Sequence, residues 1–165
     1  WGWSSYAGPK EMQDLIGIDG QADYTLRRLA LMASQDYQKI FLFALSDLDQ
    51  RASPRDQHYG LLNLDGEPKP VYTALARFLE ITGPTLKPGN TPQLQDVPDS
   101  FYSVAWTRPD GKNLLMYWSA KGSSISLPGI KNAELLDPLT GARQTLSDDN
   151  GIRPTVKPSL QILVW

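Results

Sequence analysis

Two grammars of apolar and polar positions run along this chain, and they change over at Phe101. Ahead of that point, apolar residues come either in one short block or at helical spacing. Ile40-Phe41-Leu42-Phe43-Ala44-Leu45 is the block. Its brevity and its aromatic and branched residues predict a strand buried on both faces, the kind found in parallel sheets. Ala22, Leu26, Leu29, Ala30 and Ala33 share one face at helical spacing. They predict a helix from about Gln21 to Ser34, with Asp19 placed to cap it. Residues 7–20 before it read as a loop or short helical turn, broken by Pro9 and Gly17. Val71, Tyr72, Leu75, Phe78 and Leu79 predict a second helix that opens at Pro70 and stops at Gly83-Pro84. Extended opening, helix, strand and helix is the order of a parallel barrel.

Prolines at 84, 88, 92 and 98 mark the next segment as a linker or an extended strap. Then Phe101 to Thr107 and Asn113 to Ser119 form a predicted hairpin with Asp110-Gly111 at its tip. Short strands are expected at 124–127, 133–137, 142–146 and 160–165, divided by Pro-Gly, Thr-Gly and Asp-Asn-Gly turns. Turn signals this close together predict an antiparallel sandwich or sheet. The expected fold class is therefore α/β plus all-β: the last βα units of a (β/α)8 TIM barrel, then a C-terminal antiparallel β-sandwich. The expected domains are 1–84 for the barrel part, 85–98 for the linker and 99–165 for the sandwich. A whole barrel typically needs ~250 residues, so the first part cannot close one alone. Either the other strands lie in a companion N-terminal barrel fragment, or the chain is a small α+β domain beside a β domain.

Composition narrows the function classes. A net charge of −2 gives nucleic acid or anionic lipid no attraction. No apolar run reaches the ~18–20 residues that span a bilayer. Absence of Cys excludes disulfides and thiolate-bound zinc, and a single His rules out a histidine-rich metal site. No cofactor is expected. Five Trp and seven Tyr supply rings for packing or for stacking on sugars. The apolar opening Trp1-Gly2-Trp3-Ser4-Ser5-Tyr6 reads as the interior of a longer protein.

Two stretches carry a family resemblance. Phe43-Ala44-Leu45-Ser46-Asp47, followed by His58-Tyr59-Gly60-Leu61-Leu62, Asp65-Gly66 and Glu67-Pro68-Lys69-Pro70, resembles the eighth strand and following loop of clan A glycoside hydrolases, nearest to family 39. Trp1-Gly2-Trp3-Ser4 resembles the run that follows the nucleophile Glu at the end of their seventh strand. The resemblance implies a retaining, two-carboxylate glycoside hydrolase acting on β-linked polysaccharide or exopolysaccharide, in the periplasm or secreted. Retaining glycosidases hold two carboxyl groups about 5–5.5 Å apart, and by resemblance both lie outside this chain.

The same resemblance nominates the substrate-binding candidates Trp1, Trp3, Phe43, Asp47 and His58. Phe43 stands where relatives often carry Trp, keeping a flat apolar surface without the indole donor. Core packing rivals a cleft role for Trp3 and Phe43, strand capping rivals it for Asp47, and a structural role is the plainer reading of His58. Asp49 and Arg51 read as a loop ion pair. The competing function is a non-enzymatic carbohydrate-binding or scaffold protein that uses Trp106, Tyr117 and Trp118.

Overall fold

The chain divides into two units, Trp1–Arg77 and Phe78–Trp165. A computed structural model describes residues 1–9, 15–35, 37 and 39–165. The expected loop over 7–20 therefore falls partly outside the described residues.

In the first unit, helix α1 (Gly17–Ala33) buries Gln21, Ala22, Thr25, Leu26 and Ala30. It begins earlier than its apolar spacing suggests, at Gly17, whose φ of 64° few other residues adopt. Asp19 thus lies within the first turn, where its charge favours the helix dipole, and does not cap the helix. Helix α2 (Pro70–Thr82) begins at the expected proline. Its buried face carries Val71, Ala74, Phe78 and Ile81, whereas Tyr72 and Leu79 are exposed. Spacing of three, four and three keeps those four residues on one face, turned away from the predicted stripe.

The block at 40–45 forms no assigned strand. Its backbone is nonetheless paired: the Trp1 ammonium donates to the Phe41 carbonyl at 3.3 Å, and Phe43 N–H donates to the Trp1 carbonyl at 2.8 Å. One residue bonding to two positions that flank a single partner is the parallel pattern. Further on, Ser46 and Leu62 form a parallel bridge, and the Phe43–Ala44 peptide is cis. Burial on both faces does not hold. Phe41, Phe43 and Leu45 are 76%, 51% and 67% exposed, while Leu42 and Ala44 between them are partly covered. Alternate side chains face opposite ways, so one side of the segment is covered and the other is open.

The second unit contains a six-stranded antiparallel sheet. Its strands are β1 (Lys87–Pro88), β2 (Phe101–Thr107), β3 (Asn113–Ser119), β5 (Asn132–Leu136), β6 (Arg143–Ser147) and β8 (Gln161–Val164), in the order β1-β2-β3-β8-β5-β6. Strands β4 (Ser123–Ser124) and β7 (Thr155–Val156) pair separately. The predicted hairpin holds to the residue, with Gly111 at φ 83° in its turn. Leu115 and Tyr117 of β3, Leu135 of β5 and Leu163 of β8 form one core with Ile125, Leu127, Ile152 and Val156. Residues of the opposite parity, including Trp106, Leu114, Met116, Trp118 and Ile162, are buried too. Segment 85–98 is a strap and not a free linker: β1 pairs with β2, Gln95 bridges to Ser126, and Leu94 packs on the core. Arg108 Nη1 donates to the Ile81 carbonyl at 2.9 Å, tying the end of α2 to the hairpin.

A buried carboxylate closes the turn after β5. Asp137 Oδ1 accepts from the Leu139 and Thr140 N–H groups, and Oδ2 lies 3.1 Å from Lys157 Nζ. Burial pushes this carboxyl up, but Lys157, the Thr140 N–H and the Gln161 side chain together outweigh it and hold the group below the usual carboxylate range. Its contribution to stability is full above the unfolded value of about 3.9 and is lost as pH falls through the lower folded value. Asp137→Asn is therefore expected to unfold at a lower temperature than wild type, by a margin that is constant near neutrality and shrinks below about pH 4. A margin unchanged in thermal melts down to about pH 2 would contradict this.

Candidate functional site

The site lies in the first unit, where the parallel-paired segments end. Two glycines permit the close approach of its backbones. A Cβ on Gly2 would collide with the Phe43 carbonyl, and one on Gly60 would collide with Ser46, Asp47 and Leu62 backbone atoms. Gly60 in turn donates its N–H to Asp47 Oδ1 at 2.7 Å.

Asp47 and Lys69 form the centre. Lys69 Nζ lies 2.8 Å from Asp47 Oδ1, with side chains 6% and 10% exposed, and also donates to the His58 carbonyl at 3.2 Å. Burying both charges is tolerable because each meets the other and further hydrogen-bond partners. Asp47 Oδ2 stands 3.8 Å from His58 Nδ1. The half-exposed His58 ring stacks on Tyr6 at 5.8 Å. Its carbonyl also accepts from the Ser5 N–H at 2.9 Å, so one carbonyl joins the opening segment to the loop. Gln21 of α1, fully buried, donates to the Trp3 carbonyl at 2.8 Å and the Gly60 carbonyl at 3.1 Å.

Of the candidates from sequence, Asp47 and His58 meet in this cluster. Phe43 presents a half-exposed ring, edge-on to Tyr59 at 5.7 Å. Asp47 serves as an internal anchor, since its Oδ1 is shared between Gly60 and Lys69. Trp1 and Trp3, expected to line a cleft, turn toward α1 instead. Trp3 packs edge-on against Tyr24 at 5.2 Å, and Arg28 lies over the Trp1 ring at 5.9 Å. Both indole N–H groups are buried without a hydrogen-bond partner in this chain. Asp49 and Arg51 pair as expected, Nε to Oδ1 at 2.9 Å and Nη2 to Oδ2 at 2.7 Å, which holds the Asp49 carboxyl below its usual range.

Gln21 and Lys69 were not foreseen. A lysine framed by Pro68 and Pro70 was the available signal for Lys69, and an amide one position from a buried alanine was that for Gln21. Among the described residues, no group of three His, Cys, Asp or Glu side chains is placed to hold a metal, and no helix is long and apolar enough to cross a membrane.

No protein-family model matches this sequence, and no curated protein matches it. Among solved structures, a family 39 glycoside hydrolase from the gut symbiont Bacteroides cellulosilyticus WH2 is similar over 99% of this chain and 32% of that one, at 21% identity and a TM-score of 0.71. The catalytic domain of GH30 xylanase C from Talaromyces cellulolyticus aligns with 64% of this chain and 27% of that one, at 19% identity and a TM-score of 0.45. The chain thus spans about a third of the length of the glycoside hydrolases it matches. It has a glycoside hydrolase-like fold, two helices and a mostly antiparallel sheet, like that of the family 39 enzyme.

Proposed function

We propose that this chain is the C-terminal part of a retaining glycoside hydrolase that cleaves β-linked polysaccharide. Residues 1–84 are the last units of its (β/α)8 barrel, 85–98 the strap, and 99–165 a β-sandwich that supports the barrel. The observation that carries this reading is the parallel pairing of Trp1 with the segment around Leu42, with the Asp47–Lys69–His58 cluster at its end. Ligand chemistry gathers at that end of parallel strands. A companion N-terminal barrel fragment packs on the exposed Phe41 and Leu45, leaving the Phe43 ring to the cleft, and that fragment carries both catalytic carboxyl groups. Expressed alone, this chain aggregates or stays poorly structured. The enzyme is periplasmic or secreted and needs no cofactor. Within that proposal, the parent is an enzyme of the same kind as PslG, a glycosidase of a Pseudomonas exopolysaccharide-biosynthesis system. Trp106, Tyr117 and Trp118 are buried, which favours a supporting role for the sandwich over a sugar-binding one.

Phe43 floors the sugar subsite. Phe43→Ala in the parent enzyme is expected to lower turnover tenfold or more, the equivalent of about 1.4 kcal/mol. The stability loss should be smaller than the ~3–5 kcal/mol of a fully buried Phe. A large fall in melting temperature with unchanged activity per folded molecule would assign the ring to the core. The reading as a whole is tested with β-linked glucose, xylose and mannose polymers and oligosaccharides. The parent polypeptide should hydrolyse one of these with retained anomeric configuration and an early drop in viscosity. Sugar binding to the isolated chain in calorimetry, with no hydrolysis by the parent, would establish a carbohydrate-binding protein instead.

A further inference from the structure

Beside the cluster, the loop that follows Asp47 encloses a groove of about 480 Å³ lined by Leu48, Asp49, Gln50, Arg51, Gln57 and Leu64. That volume falls within the ~300–1,000 Å³ of ordinary ligand sites. We propose that this groove is an accessory subsite for a neutral β-linked sugar unit. The inference rests on the glycosidase reading above and extends the substrate contact beyond Phe43.

Three features point to a sugar. Leu48 and Leu64 are both exposed, and exposed leucines in a groove offer the apolar surface that the C–H face of a pyranose covers. Gln50 brings a planar amide and Arg51 a guanidinium, whose donors and acceptors match vicinal hydroxyls. Charge selects a neutral unit: Asp49 closes on Arg51 through three contacts of 2.7–3.0 Å, so the groove presents no unbalanced cation to a uronate.

The groove is also preformed and continuous with the site. Leu48 N–H donates to the Gln57 carbonyl at 3.2 Å, and the Gln57 amide donates to the Ala52 carbonyl at 3.0 Å. The loop therefore holds its shape through its own hydrogen bonds. Leu48 follows Asp47 and Gln57 precedes His58, so the lining of the groove adjoins the cluster along the chain.

The test uses the parent polypeptide, with β-1,4-linked oligosaccharides of glucose, xylose and mannose, from two to six units long. Gln50→Ala/Leu64→Ser alters two exposed side chains of the lining. Wild type should prefer longer substrates, and the variant should reduce the ratio of kcat/KM for the longest over the shortest about tenfold, through KM. An unchanged ratio, or an equal fall for every length, would overturn the subsite while hydrolysis itself upholds the glycosidase reading. If wild type cleaves no member of the series, both fail together.

Discussion

Deleting Leu160 to Trp165 from the parent protein should abolish cooperative folding of the β unit. Strand β8 lies between β3 and β5, pairing Leu114 to Tyr117 on one side and Glu134 to Leu136 on the other. Without it the sheet separates into β1-β2-β3 and β5-β6. Leu160, Ile162, Leu163 and Val164 are all buried, and each such side chain is worth about 1.5–3 kcal/mol. Four of them approach the ~5–15 kcal/mol that holds a whole domain together. The expected result is insoluble protein, or soluble protein without a thermal transition in near-ultraviolet circular dichroism. A truncated protein melting within a few degrees of wild type would contradict the central place of this strand.

The second large effect is expected at Lys69. Lys69→Met leaves the Asp47 carboxylate buried without its cation, a loss of about 3–5 kcal/mol when one partner of a buried pair is removed. Asp47→Ala should cost as much or more, because Gly60 N–H loses its acceptor as well. The double variant Asp47→Ala/Lys69→Met removes both charges and should recover a substantial part of the loss. Coupling of more than about 1 kcal/mol in a double-mutant cycle of denaturant unfolding supports this account. Additive effects would show that the two side chains act independently.

The sequence was most legible where structure is local. Two apolar, aromatic-rich runs and Asp110-Gly111 marked the β2–β3 hairpin, because its register depends on neighbours a few residues away. Pro70 marked the start of α2 for the same reason. The turn of its buried face toward Ala74 and Ile81 was not legible, since Tyr72 and Leu79 are as apolar as the residues that won. Whether the 40–45 block is covered depends on which layers lie against it, and its own residues do not encode that. Strands β4 and β7, two residues each, are too short to carry a period. In the site, Phe43, Asp47 and His58 were reached through family resemblance. Lys69 escaped because its burial is justified by a carboxylate 22 residues earlier and by the His58 carbonyl. The helix-facing rings of Trp1 and Trp3 were likewise decided by Tyr24 and Arg28 of α1.

The central proposal is that Trp1-Gly2-Trp3-Ser4 is the run that follows the nucleophile in a retaining glycosidase, as in the family it resembles. A retaining mechanism passes through a covalent glycosyl-enzyme, so the nucleophile can be labelled. Treating the parent protein with a slow 2-deoxy-2-fluoro glycoside of its preferred sugar, then mapping the modified peptide by mass spectrometry, locates it. The account predicts a label on a Glu immediately before Trp1. A label on any other residue, or a residue other than Glu at that position, would contradict it.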